Sequence, residues 1–451
     1  MQYKQKKSFQ LIHGDAAGID IGGSSHFVAV PQDRDDKPVR EFKSFTADLN
    51  ELANWLTHCD IKTVAMESTG IYWIPIYELL ESRGFEVLLV NARHVKNVPG
   101  RKSDVLDCQW LQQLHSYGLL RGSFRPEQAI CVLRSYLRQR ESLIRYCSHH
   151  IQHMQKALFQ MNIQLANVVN DITGITGMNI IRAILAGERS PEKLSNYRDG
   201  RCKNSKATIA KSLQGNYRSE HIFTLKQAVE LLDFYQEKLV ECDQQIEQEL
   251  LQMTLDCEKN NLAEEKKAPR KRRNNELYFE AGTYLHNLVG VNLTEIDGLN
   301  THTALRIIAE IGTDIAKWPT AKHFGSWLGL APGTKISGGK VLSSKTKPSS
   351  NRAAHLLRLA ASSLHRSHSA LGAFLRRQKA RLGSPKAITA TAYKIARLIY
   401  NMLKYGHNYV DPGQDYYEKR YRDRIIKNME KKAASFGFQL VQNQQLSLEV
   451  P

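Results

Sequence analysis

Between Ile315 and Val410 the chain contains no aspartate and no glutamate. The same stretch holds seventeen lysines and arginines, so it carries +17 in a chain whose formal net charge is +18. Soluble surfaces ordinarily mix charges, because like charges repel. A folded region of this size without a carboxylate calls for an anion from outside, and the phosphate backbone of a nucleic acid is the fitting one. A solvated basic face and an anionic lipid surface are the other readings. Further absences narrow the class. No run of eighteen apolar residues occurs, which excludes a membrane-spanning helix. The seven cysteines are scattered without a Cys-x-x-Cys pair, so neither a zinc ribbon nor a disulfide frame is indicated, and a reduced cytoplasmic setting is expected. The first ten residues are polar and basic, unlike a secretory signal. A length of 451 residues with 42% hydrophobic content predicts two or three domains with real cores.

The N-terminal third reads as a carboxylate site. Gly18 to Val30 reads as two short strands joined by a Gly/Ser turn. Side chains alternate along a strand, so Ile19 and Ile21 share one face and Asp20 takes the other. An acid embedded in an apolar strand is costly unless it is paired or ligates a cation. Thr63 to Glu67 repeats the arrangement, a short apolar strand ending in an acid. Ser68-Thr69-Gly70 breaks it, an amphipathic helix follows around Ile74 to Ser82, and Phe85 to Val90 reads as a buried third strand. Ser103 is a plausible helix N-cap, and Asp104 and Asp107 beyond it share one helical face. Acids in a first turn suit the helix dipole without further purpose. That does not account for Asp20 and Glu67. Carboxylates from two strands and one helix are what a pair of divalent cations needs to hold a phosphate. Asp15, Asp33, Asp35 and Asp36 sit in polar, loop-like contexts and are expected to be solvated.

Asp20, Glu67, Asp104 and Asp107, in the contexts GIDIGGSSHFVAV, AMESTGIYW and GRKSDVLDCQW, resemble the DEDD transposases of bacterial insertion sequences. These form the IS one-ten / IS eleven-eleven family, related to the Piv site-specific invertases. The resemblance implies an α/β, RNase H-like (RuvC-like) N-terminal domain over 1–125. It also implies that the four carboxylates bind two Mg²⁺, with Mn²⁺ as a substitute. The apolar steps Leu133, Leu137, Ile144, Cys147, Ile151, Met154, Leu158 and Leu225, Val229, Leu232, Leu239, Ile246, Leu250 are heptad-like. Arg140 interrupts the first seam, and Gln236 and Asp243 interrupt the second. Two such helices most simply predict an antiparallel coiled-coil arm over 126–265, with an inserted tip at about 166–220; pairing between two copies of the chain is the rival reading. His149, His150 and His153 lack companion ligands and read as surface residues. Residues 266–284 read as a basic linker.

A mainly helical transposase domain is expected over 285–410, followed by a basic helical tail over 411–451. Glu295 to Asn300 followed by a helix from Thr303 to Ile311 resembles a helix-hairpin-helix, or is simply a helix cap followed by a new helix. Helices are predicted over 323–330, from Asn351-Arg352 to about His365, and from Pro385 to Tyr405. Ser337, between glycines and cations, is by itself an ordinary loop residue. Gly329-Leu330-Ala331-Pro332, the Ser337-Gly338 pair and Asn351-Arg352 match the family's C-terminal pattern, however, and the resemblance makes Ser337 the nucleophile. Lys335, Lys340, Lys345, Lys347, Arg352 and Arg358 are the candidate nucleic-acid contacts. The resemblance further implies a transposase that cuts and rejoins double-stranded DNA at element ends and target through a serine–DNA intermediate. It implies a structured non-coding guide RNA, a homo-oligomer (dimer or tetramer), no membrane, and a bacterial cytoplasmic, nucleoid-associated location. A RuvC-like metal endonuclease using water and a non-catalytic nucleic-acid-binding scaffold are the alternatives.

Overall fold

The computed structural model describes residues 11–91, 104–255 and 275–441. The chain divides after Arg125 into two compact units. In the first, Ala16–Ile21 (β1), Ser25–Ala29 (β2), Val39–Lys43 (β3), Thr63–Glu67 (β4) and Glu86–Val90 (β5) form one sheet in the order β3-β2-β1-β4-β5. β2 runs antiparallel to both neighbours, while β1, β4 and β5 are parallel. This mixed order fits an RNase H-like sheet. The alternation along β1 and β4 puts Ile19, Ile21, Val64 and Met66 on one face, together with Val28. There they pack on Leu49, Leu52 and Leu56 of Thr46–His58 (α1) and on Ile76 and Leu80 of Trp73–Ser82 (α2). Fully burying side chains of this kind stabilises by about 1.5–3 kcal/mol each. β5 is an edge strand with Glu86 exposed, not the fully buried strand its apolar run predicts. Asp35 is not solvated either. Its carboxylate accepts from Trp55 Nε1 at 2.9 Å and pairs with Arg40 at 2.8 Å. Those contacts, led by the Trp55 N–H, hold its pKa down to about 2.

The second unit begins with Gln128–Gln160 (α4), which packs along Ser219–Leu255 (α9). The pair is antiparallel: Cys242 Sγ–H donates to Tyr136 O, and Tyr146 stacks on Tyr235 at 5.2 Å. The polar interruptions of the two seams meet. Arg140 and Asp243, both 1% exposed, form a buried ion pair, and Arg140 also donates to Asn275 O and Glu276 O. Four short helices, Leu165–Val168 (α5), Ile175–Leu185 (α6), Pro191–Ser195 (α7) and Lys206–Ser212 (α8), occupy the connection between α4 and α9. They are tied to the end of α4 by Asn216 N–H donating to Met161 O. His150 stacks on Tyr235 at 5.4 Å, a packing role. The basic cluster of the linker, up to Asn274, lies outside the described residues.

Ala281–Val289 (α10), Thr301–Ile311 (α11), Ala321–Trp327 (α12), Arg352–Ser363 (α13), Ala370–Leu382 (α14), Ser384–Tyr405 (α15) and Gly413–Ser435 (α16) follow. α15 is central and packs on α12, α13 and α14 through Ala392, Ile395, Ala396 and Ile399. Its Tyr400 O–H donates to Trp318 O at 2.8 Å, which satisfies the hydroxyl in the core. The turn before α11 is committed to packing. A Cβ on Gly298 (φ +88°) would lie 2.7 Å from Ala360 O of α13. α16 buries no residue and is held by contacts such as Arg377 over the Tyr421 ring at 3.5 Å. No helix among the described residues is long and apolar enough to cross a membrane.

Candidate active site and nucleic-acid-binding face

Asp20 and Glu67 stand on the sheet face opposite the unit's apolar core. β1 and β4 pair with Gly18 beside Ala65 and Ile19 beside Met66, so Asp20 and Glu67 stand next in register on one face. Asp104–Ser116 (α3) lies directly on that face. Gly18 permits the approach: a Cβ there would sit 2.3 Å from Gln112 N and 2.4 Å from Cys108 O. Two contacts pin the helix, Gln112 Nε2 donating to Ala16 O at 3.3 Å and Thr63 Oγ1 meeting His115 Nε2 at 2.8 Å. The same seating lays Cys108, the neighbour of Asp107, against β1. The buried thiol of Cys108 is pushed up to about 12, first by burial and then by the charge of Asp20, which puts this turn of α3 near the β1 carboxylate.

Glu67 is 7% exposed, Asp20 and Asp107 are half-buried, and Asp20 and Glu67 are each engaged in an interaction. Asp104 opens α3, but its side chain lies outside the described residues. Among the described residues no group of three or more His, Cys, Asp or Glu is drawn tight enough to hold a metal. The donor set itself fits Mg²⁺, a hard cation that takes one or two carboxylates and keeps several waters. Asp20 and Glu67 come from strands and Asp104 and Asp107 from a helix.

The stretch read as a loop around Ser337 is a β-hairpin. Lys335–Ser337 (β6) and Lys340–Ser343 (β7) pair antiparallel, with Ser337 opposite Lys340. Gly338 and Gly339 form a two-residue turn with φ of +54° and +74°, the left-handed pair that such turns require. Gly333 N–H donates to Lys345 O at 3.0 Å and closes the base of the hairpin. At its tip Ser337, Ile336, Val341 and Leu342 are exposed, as are Lys335 and Lys340. Among the described residues Ser337 Oγ makes no hydrogen bond, and its own hairpin supplies neither a base nor an acid. Neighbouring serines are taken up locally, Ser343 Oγ accepting from Lys345 N and Ser349 Oγ from Asn351 N.

The acid-free stretch is not wholly free of internal anions or internal duties. Glu141 of α4 reaches Arg352 at 3.3 Å. Arg376 is committed to His365 O, Ser367 O and Gln414 Oε1, and Lys404 to Pro319 O. Lys394 lies among Phe374 and Tyr417, where burial lowers its pKa. Lys345, Lys347, Lys379 and Lys386 remain exposed and suit phosphate contact. Arg358, half-buried on α13, faces a cleft it shares with arginines of α4 and α11. Sequence order hides that grouping.

Comparison with known proteins follows the same two-part division. Residues 17–163 match a DEDD family model described as Transposase. Residues 291–376 match one described as Transposase IS116/IS110/IS902 family. Between them the two models cover more than half of the chain, one spanning the carboxylate sheet and one the Ser337 hairpin. No curated protein matches the chain. Two models of one kind of element, in the expected order along one polypeptide, lead to a single conclusion: the chain belongs to the IS110-type family of DEDD transposases of insertion sequences.

Proposed function

We propose that this transposase cuts and rejoins double-stranded DNA by serine chemistry assisted by divalent metal. The observation that supports the metal half is the adjacent register of Asp20 and Glu67 on one face of the sheet, with α3, which carries Asp104 and Asp107, packed on that face. Asp20, Glu67, Asp104 and Asp107 would hold two Mg²⁺, with Mn²⁺ as a substitute. Bound cations there supply charge neutralisation at a phosphate and ease loss of the nucleophile's proton. Ser337 Oγ forms a bond to a DNA phosphorus as one backbone P–O bond breaks. The hydroxyl proton leaves, and the departing deoxyribose oxygen takes one up. The phosphoserine–DNA link conserves the bond energy, so a second deoxyribose hydroxyl can displace Ser337 and reseal without ATP. Exposure of Ser337 at a cationic hairpin tip supports this role, because an attacking hydroxyl must reach a backbone that the surrounding lysines attract.

The division of labour follows the two units: residues 1–125 for metal chemistry, the α4–α9 pair as a coiled-coil arm, and 285–410 for the nucleophile and for backbone contact through Lys335, Lys340, Lys345, Lys347, Arg352 and Arg358. A structured guide RNA, a dimer or tetramer and a nucleoid-associated place of action complete the reading. The family supports DNA as the substrate, and the large basic surface has room for RNA as well. The test is to denature a stalled reaction and look for DNA that migrates with protein and is released by protease. Ser337→Ala should abolish the adduct and strand exchange while leaving DNA binding intact. Each single Ala variant of the four carboxylates should lose cleavage in Mg²⁺. Wild-type cutting by Ser337→Ala with free ends would make water the nucleophile, the endonuclease reading. Wild-type activity in any two carboxylate variants would dismantle the metal site.

A further inference from the structure

Within the second unit, a cleft of about 380 Å³ opens where α4, α11 and α13 come together. Six arginines line it: Arg134, Arg138 and Arg145 of α4, Arg306 of α11, and Arg352 and Arg358 of α13. The α4 members recur at steps of four and seven, which puts them on one face of that helix. Two acids enter the cleft, Glu141 and Glu310, so six cations against two anions leave four positive charges. Glu310 is gripped by both arms of Arg138 at 2.8–3.1 Å. One oxygen of Glu141 is shared by Arg306 at 2.9 Å and Arg352 at 3.3 Å. Arg145 and Arg358 have no carboxylate within salt-bridge distance among the described residues.

We infer that this cleft is a binding site for a phosphodiester backbone. Its composition selects the ligand class. Lysine supplies 33 of the chain's 63 cations, yet none lines the cleft. A guanidinium presents a planar fork that meets two oxygens of a phosphate at once, whereas an ammonium is a point charge. Six forks converging from three helices suit several successive phosphates of one strand better than scattered counterions. The two glutamates hold Arg138, Arg306 and Arg352 in position, so part of the ordering cost is met before a ligand arrives. Ser349 to Arg352 are part of the lining and lie just past the Pro332–Thr346 bridge at the base of the Ser337 hairpin, so this part of the cleft lies close in sequence to the hairpin legs. Four of the six arginines lie outside the acid-free stretch, which extends the backbone track onto α4 and α11. The inference rests on the reading of the chain as an enzyme of nucleic acid, but it concerns binding and not chemistry.

The test uses the full chain without divalent metal, so that no cutting occurs, and a labelled 30-base-pair DNA duplex or a 30-nucleotide single-stranded RNA titrated across salt. Replacing Arg134, Arg145 and Arg358 together by Gln should lower the slope of log K against log salt by about 2.7 on the duplex, or about 2.1 on the single strand, for three lost contacts. The change should appear on whichever polymer occupies the cleft, and this assigns it to DNA, to RNA or to both. The corresponding triple Lys variant should keep the slope and lose affinity severalfold, because charge stays and the forks go. That variant also serves if the Gln protein folds poorly. A control with Lys193, Lys226 and Lys238 changed to Gln, each paired with a glutamate away from the cleft, should leave the slope unchanged. An unchanged slope on both polymers in the natively folded Gln variant would overturn the site. So would an equal loss in the lysine control, which would reduce the effect to bulk charge. Failure of the Ser337 adduct with the slope change intact would count against the serine chemistry and not against the cleft.

Discussion

Replacing Arg140 by Met tests how the two long helices are held. The guanidinium makes two bonds to Asp243 and one each to the carbonyls of Asn275 and Glu276, all in an interior where both charged groups are 1% exposed. Its removal leaves the Asp243 carboxylate buried with the Tyr278 N–H at 3.0 Å in place of its counter-charge, and deprives two carbonyls of a donor. Breaking a buried pair from one side costs about 3–5 kcal/mol. The unit spans Pro126–Pro451, and at about 2.1 cal/mol/K of unfolding entropy per residue each kcal/mol moves its midpoint by roughly 1.5 °C, so the midpoint should fall by about 4–7 °C. Asp243→Leu alone should cost a similar amount. The pair Arg140→Met with Asp243→Leu should recover most of the loss, because two matched apolar groups leave no orphaned charge. Because two units do not melt as one transition, hydrogen exchange of α4 and α9 amides should be followed beside thermal unfolding. Single variants within 1 °C of wild type, or a double variant worse than the two losses added together, would refute the reasoning.

Acid should weaken the second unit through His302, whose pKa is lowered to about 3 by burial first and then by the charges of Arg140 and Arg306. An unfolded His takes its proton near 6.5, so the unfolded chain binds more protons between about pH 6.5 and 3 and stability falls as pH drops through that window. A plot of midpoint against pH should flatten there in His302→Gln, and an unchanged slope would show that other groups govern it. Gly18→Ala should force α3 off β1, since the new Cβ would meet backbone at 2.3 Å. It should destabilise the first unit by about 1–3 kcal/mol and remove Mg²⁺-dependent cleavage, and full cleavage at the wild-type melting temperature would sever α3 seating from activity.

Much of the carboxylate sheet was legible because strand alternation is short-range. Asp20 on the polar face of β1 and Glu67 at the end of β4 follow from period two alone. What sequence spacing withholds is register, and it is the pairing of Gly18 with Ala65 that sets those two acids side by side. Gly18 itself gave a signal, a glycine inside a strand, which marks a close approach. The helical seams of α4 and α9 were readable, and their polar interruptions, Arg140 and Asp243, prove to be partners. Local patterns misled where tertiary placement decides: β5 looks like a central strand and lies at an edge, and Asp35 looks like a loop acid and is held by Trp55. The Ser337 hairpin escaped because its strands are short and exposed, with no buried face to impose alternation. The arginine cleft escaped because Arg138 and Glu310 stand 172 positions apart and only folding introduces them.

The paired helices also act as a lever. Arg140 and Asp243 lock them together about a third of the way along, and α4 runs on for twenty residues to Gln160, about 30 Å at 1.5 Å per residue. The short helices α5 to α8 ride on that far end. A tilt of the pair by ten degrees about the lock would carry the small helices through an arc of about 5 Å, roughly one helical turn. The bonds of Arg138 to Glu310 and of Glu141 to Arg306 hold α4 on α11 on either side of that lock, so the distal end of the arm is the part with the most room to move.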